Sequence, residues 1–98
     1  MSASFRITPR AYSDLRNIAR YTLRQWGRAQ RDIYIRNLDK RFAWLAEQPH
    51  AGKHRPDICE GYFCFPQGSH LIFYLMHDRG IDIIGIPHKA MDIANYFD

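Results

Sequence analysis

Along the first half of the chain, apolar residues recur every three or four positions; along the second half they gather in short continuous runs. Ala11, Leu15, Ile18, Thr22 and Trp26 form one helical stripe, with Tyr12 and Ala19 at its margins. A second stripe joins Ile35, Leu38, Phe42 and Leu45, with Tyr34 alongside. Thr8-Pro9 reads as an N-cap followed by proline at the first helical position. Gly27 ends the first helix, and the second runs from about Arg28 to Glu47, stopped by Pro49 and Gly52. So short a joint folds the two helices back as an antiparallel hairpin. Phe5-Arg6-Ile7 alternates apolar and polar, which suits a short strand. Three apolar runs near 61–66, 70–77 and 81–87 are separated by Gln67-Gly68-Ser69 and Asp78-Arg79-Gly80, the mark of an antiparallel meander with tight turns. Residues 49–60 read as a polar loop, and the tail from Met91 to Asp98 has room for one short helical turn.

The pattern predicts one α+β domain over residues 1–98: an N-terminal strand, an antiparallel helical hairpin, then a three-strand antiparallel meander. The hairpin can return the first strand to the C-terminal part of the sheet. Strand 70–77 is apolar at nearly every position and so reads as central, covered on both faces. The hairpin supplies one cover. Tyr62, Phe63, Phe65, Phe73 and Tyr74 offer more aromatic surface than one face needs, which predicts a groove for a partner. Trp26, Trp44, Phe42 and Tyr34 read as core.

Charge adds an asymmetry. Net charge is +4, but residues 10–41 carry nine Lys/Arg against three Asp/Glu, while the rest is weakly acidic. Arg16, Arg20 and Arg24 repeat at i, i+4, and Arg28 and Arg31 extend the row. Like charges at that spacing repel. The row is either a solvated face or a docking surface for an acidic protein segment. No aromatic interleaving, recognition helix or glycine loop marks direct nucleic-acid binding. Cys59 and Cys64 read as reduced thiols of a cytoplasmic protein, and their spacing to His54 and His70 matches no zinc finger. No apolar run is long enough to target or span a membrane.

His88-Lys89 follows the last strand. A histidine there is either packed at the strand end or a general base for RNA cleavage through the 2′-hydroxyl, helped by Lys53, Arg55, Lys89 and Tyr96. The sequence holds no phosphate loop, dinucleotide fingerprint, nucleophile triad or metal pair, so no cofactor is expected. In the tail, Ile93, Tyr96 and Phe97 share one helical face, either packed on the sheet or exposed to a partner.

The order and spacing of several short motifs resemble the ParE-type toxins of bacterial toxin–antitoxin pairs, within the RelE/ParE superfamily. They are Ala11-Tyr12-Ser13-Asp14-Leu15-Arg16-Asn17-Ile18, Trp26-Gly27, Leu45-Ala46-Glu47-Gln48-Pro49, Gly61-Tyr62, Phe65-Pro66, Gly68-Ser69-His70, Ile72-Phe73-Tyr74 and His88-Lys89-Ala90-Met91-Asp92. Many relatives have leucine at Pro87 and arginine at Ala90. The resemblance implies a non-catalytic toxin, held in a hetero-oligomer by an acidic ParD-type antitoxin and poisoning DNA gyrase when free. The basic row and the aromatic surplus place that antitoxin's contacts at Arg16, Arg20, Arg24, Tyr62, Phe63 and Phe73, and the resemblance favours the C-terminal tail as the gyrase contact, with Met91, Ile93, Tyr96 and Phe97 as its anchors. The RelE branch, a ribosome-dependent mRNA endoribonuclease, is the alternative, although strands 61–66 and 70–77 carry none of its basic residues.

Overall fold

The computed structural model describes residues 3–97; Met1, Ser2 and Asp98 lie outside it. The elements follow one another as β1 (Ser4–Ile7), α1 (Pro9–Trp26), α2 (Arg28–Glu47), a single 3₁₀ turn (Pro49–Ala51), β2 (Lys53–His54), β3 (Tyr62–Gln67), β4 (His70–His77), β5 (Gly80–Gly85) and α3 (Ile93–Tyr96). The expected α+β order is present. The first strand pairs with the C-terminal strand β5, as expected, and does so in parallel. Lys53–His54, read as loop, adds a short edge strand beside β3 that was not expected. The sheet order is β1-β5-β4-β3-β2, so the meander β3-β4-β5 forms its antiparallel centre.

Thr8 joins β1 to α1. Its hydroxyl accepts from the Ala11 N–H at 3.3 Å and donates to the Ile83 carbonyl at 2.9 Å, so one side chain caps the helix and ties it to β5. Gly27 is the only residue between the helices and has φ of 91°, a value that favours glycine. Both helices lie on one face of the sheet. Ala11, Ile18, Leu38, Phe42 and Leu45 meet Ile72, Tyr74, Ile81 and Ile83 in a continuous core. Phe5 joins it edge-on against Phe42, with ring centres 5.5 Å apart. Tyr74 is fully buried, but its hydroxyl is satisfied: it donates to the Pro49 carbonyl at 2.8 Å and accepts from the Gly52 N–H at 2.9 Å.

The two tryptophans are not core, contrary to expectation. Trp26 is 70% exposed at the end of α1. Trp44 is also exposed, lying against Phe65 with the Arg41 guanidinium over both rings. A stripe ending at a helix terminus has no sheet left to cover its last member.

The opposite sheet face is covered by the tail. Phe97 packs edge-on against Phe73 at 4.9 Å and Tyr62 at 5.2 Å. This leaves Phe73 with 0% exposure. The expected aromatic docking face of Tyr62, Phe63 and Phe73 therefore does not exist as one surface. Phe63 points the other way, stacked on Tyr74 and His54, while Phe73 is sealed beneath Phe97. Cross-strand alternation dictates the split, since adjacent residues 62 and 63 must face opposite sides. Both cysteines are free thiols, Cys59 exposed and Cys64 buried.

Candidate functional site: a groove between the helical hairpin and the C-terminal segment

A groove of about 650 Å³ opens between the hairpin and the segment that leaves β5. One wall comes from α1, with Asn17, Ile18, Tyr21 and Thr22, and closes at Trp26. Gln30 and Tyr34 of α2 continue it. The facing wall is Ser69 and His70 at the start of β4, then Ile86, Pro87 and His88, and finally Met91 and Tyr96. Tyr21, Trp26 and Met91 are exposed large apolar side chains. The periodicity of α1 did not mark Tyr21, which lies off the buried stripe.

A polar network builds the floor. The Tyr34 hydroxyl accepts from the Ser69 N–H at 3.0 Å and is hydrogen-bonded to His70 Nδ1 at 2.6 Å. His70 and His88 are directly opposed across an antiparallel bridge, held by Leu71 N–H to Pro87 O and Lys89 N–H to Ser69 O, both 2.9 Å. Bonds that flank rather than join a pair make it the close kind, and the two rings meet at 5.3 Å. The Ala90 N–H donates to His88 Nδ1 at 3.0 Å and fixes that ring.

Burial, then the neighbouring His88, hold His70 down at about 4, partly offset by Asp14. His70 is thus neutral in the fold well below the pH at which an unfolded histidine takes its proton. Between about 6.5 and about 4 the unfolded chain binds more protons. Stability from this group is therefore complete above about pH 6.5 and drains away as pH falls toward about 4. Thermal unfolding at pH 7 and pH 4.5 should show a larger loss in the wild type than in His70→Gln. Equal losses would show that His70 contributes nothing to acid sensitivity.

The tail meets α1 at Asp14. Its Oδ2 accepts from the Ile86 N–H at 2.8 Å and from the Tyr96 hydroxyl. Burial, then this carboxylate, push the Tyr96 phenol well above the usual tyrosine range. One turn earlier, Arg10 donates to the Tyr96 carbonyl at 3.0 Å, with its guanidinium over the Tyr96 and Phe97 rings. Of the four expected gyrase anchors, Tyr96 and Phe97 thus face inward, Ile93 is half-buried, and Met91 stands 48% exposed.

The expected ribonuclease set is not gathered here. His88 and Tyr96 line the groove, but Lys53, Arg55 and Lys89 do not. Arg55 donates to the Asp57 carboxylate at 3.0 Å and lies over the Phe73 ring, and the Tyr96 phenol is committed to Asp14. In the arginine row Arg16, Arg20, Arg24 and Arg28 are exposed, while Arg31 is half-buried and ion-paired with Asp32 at 2.9 Å. Arg20 and Arg24 stand one turn from the groove-lining Asn17 and Tyr21.

The model of the family described as the ParE toxin of the type II toxin–antitoxin system parDE matches residues 5–93. The chain belongs to the ParE toxin family. It is 32% identical over 94 residues to toxin ParE1 of Mycobacterium tuberculosis, covering 95% of this chain and 96% of that one. It is 33% identical over 88 residues to toxin ParE1 of Caulobacter vibrioides, covering 90% and 91%. Its fold matches a solved chain from the chromosomal ParDE system of P. aeruginosa with a TM-score of 0.74 at 17% identity, over 88% of this chain and 95% of that one. No helix among the described residues of this ParE-family chain is long and apolar enough to cross a membrane.

Proposed function

We propose that this ParE-family chain acts without catalysis of its own, inhibiting DNA gyrase when free and silenced by a ParD-type antitoxin. The supporting observation is the groove: exposed Tyr21 and Trp26 on its wall, with arginines one turn away. Its occupant is an amphipathic antitoxin segment that buries aliphatic side chains against Ile18, Tyr21 and Trp26. Carboxylates on the segment's other face meet Arg20 and Arg24. Such a segment orders on binding, and the arginines draw it in. The tail then contacts gyrase through Met91, its most exposed large apolar side chain.

Free toxin in cells should give DNA breaks, an SOS response and filamentation while translation continues. With purified gyrase it should block supercoiling and trap cleaved DNA. An early stop to translation, with mRNA cleavage lost in His88→Ala, would overturn the reading in favour of a ribonuclease.

The arginine row has its own test. Changing Arg16, Arg20 and Arg24 to glutamate should slow antitoxin association by roughly tenfold or more at low salt and flatten its salt dependence. Stopped-flow fluorescence, with the Trp26 signal as reporter, measures both. An unchanged rate and salt slope would reduce the row to a solvated face.

A further inference from the structure

We infer that the free chain binds double-stranded DNA along the outward face of α1, through its phosphates and independently of base sequence. This goes beyond the proposed function and does not depend on gyrase. Ser13, Arg16, Asn17, Arg20 and Arg24 fall at i, i+3, i+4, i+7 and i+11, so they share one stripe of α1. No member is apolar and none is acidic. The three arginines are exposed, and Arg28 stands exposed just past the helix end. Among the described residues, no ion pair engages any of these four arginines. Asp14, the one carboxylate of α1, is taken up by the Ile86 N–H and the Tyr96 hydroxyl. The row therefore holds like charges against their own repulsion, with no carboxylate of the fold set beside them.

Composition decides what fits such a stripe. A protein partner needs apolar area at the centre of its contact. On α1 that area lies on the groove side, at Ile18 and Tyr21, and not among the arginines. A phosphate backbone needs only cations and hydrogen-bond donors, which arginine, serine and asparagine supply. From Arg16 to Arg24 the helix rises about 12 Å, the axial length of roughly three to four base pairs. Contacts of this kind hold a protein on the duplex without reading its bases.

The experiment titrates the full-length chain, free of antitoxin, into a short fluorescein-labelled duplex of random sequence and follows anisotropy. Three phosphate contacts predict an affinity that falls about fortyfold between about 50 and about 200 mM salt, and that is the same for duplexes of unrelated sequence. The triple variant R16Q/R20Q/R24Q should bind at least roughly tenfold more weakly at the lower salt and lose most of the salt slope. Its melting temperature should stay level or rise, because the repulsion along the row is gone. The control K40Q/K53Q/K89Q removes the same charge from three exposed positions elsewhere and should keep most of the affinity. Equal losses in the two triple variants would mean that net charge, not the row, attracts DNA, and the inference would fall. It falls as well if the wild-type chain binds no duplex at low salt, which leaves the row a solvated face. Capture of a polyglutamate peptide but not of the duplex would assign the row to an acidic protein segment instead.

Discussion

Deleting residues 93–98 is expected to destabilise the fold by about 3–5 kcal/mol, within the range for removing a large aromatic from a packed site. The deletion strips Phe97 from Phe73 and Tyr62, and exposes a ring that now has no solvent contact. It also takes the Tyr96 hydroxyl from Asp14 and the Tyr96 carbonyl from Arg10, leaving two charged groups without those partners. A domain of this size has only about 5–15 kcal/mol in hand, so the loss is a large share of the total. Urea unfolding followed by circular dichroism measures it. A truncated chain with an unshifted midpoint would mean that the Phe97 cover is energetically idle. Of the two sequence readings of the tail, packed on the sheet or exposed to a partner, Tyr96 and Phe97 follow the first. This also changes how toxicity should be dissected. If the chain acts on gyrase as proposed, loss of inhibition on truncation would report a damaged fold, whereas substitution of Met91 would test the proposed contact alone.

Gly80→Ala should cost still more per atom added. Gly80 begins β5 with φ of 150° and is buried. A Cβ built on it would lie 1.7 Å from the Ser4 carbonyl oxygen and 2.8 Å from its carbon. These are backbone atoms of the paired strand, so no rotamer change relieves the clash. The seam must open, and opening it pulls Phe5 and Ile7 off the core. A loss of about 3 kcal/mol or more is expected, combining backbone strain with lost packing. Gly27→Ala is the internal comparison. At φ of 91° it carries strain, but a Cβ there meets nothing within 4 Å. With ψ of 175° it sits in a region essentially reserved for glycine, so its cost should be backbone strain alone, on the order of 1–3 kcal/mol. Equal midpoints for the two variants in guanidinium unfolding would refute the steric account of the β1–β5 seam.

Much of the fold could be read from periodicity. The α1 stripe is buried at Ala11, Ile18 and Thr22, and the α2 stripe at Leu38, Phe42 and Leu45. The strand runs fell within a residue or two of β3, β4 and β5. Periodicity reports which side of an element is apolar, not what lies opposite it. Hence it could not tell that Phe73 would be sealed by a residue 24 positions further on, or that Trp26 would overhang the core. The hairpin's return path placed β1 beside the C-terminal part of the sheet, but nothing local in Phe5-Arg6-Ile7 told that it would pair in parallel. The site was less legible than the fold. The arginines could be placed on an open face from their spacing. The groove could not, because its walls combine α1, α2, the β3–β4 turn and the exit of β5. The Tyr34–His70–His88 arrangement depends on a bridge formed outside the regular ladder.

The pairing of β1 with β5 also bears on how the protein is made. Arg6 and Asp82, ion-paired at 2.9 Å, are 76 residues apart, and the strands between them belong to a mixed sheet. On the ribosome, the first strand emerges early and waits, unpaired, while nearly the whole chain is synthesised. Closing so long a loop is slow, and nothing in the helical hairpin can substitute for β5. The groove obeys the same timing, because one of its walls is residues 86–91. A nascent chain therefore carries the basic helices well before it has a completed groove. The toxin reaches its working shape only after its last strand clears the exit tunnel, which gives an antitoxin made in parallel a head start.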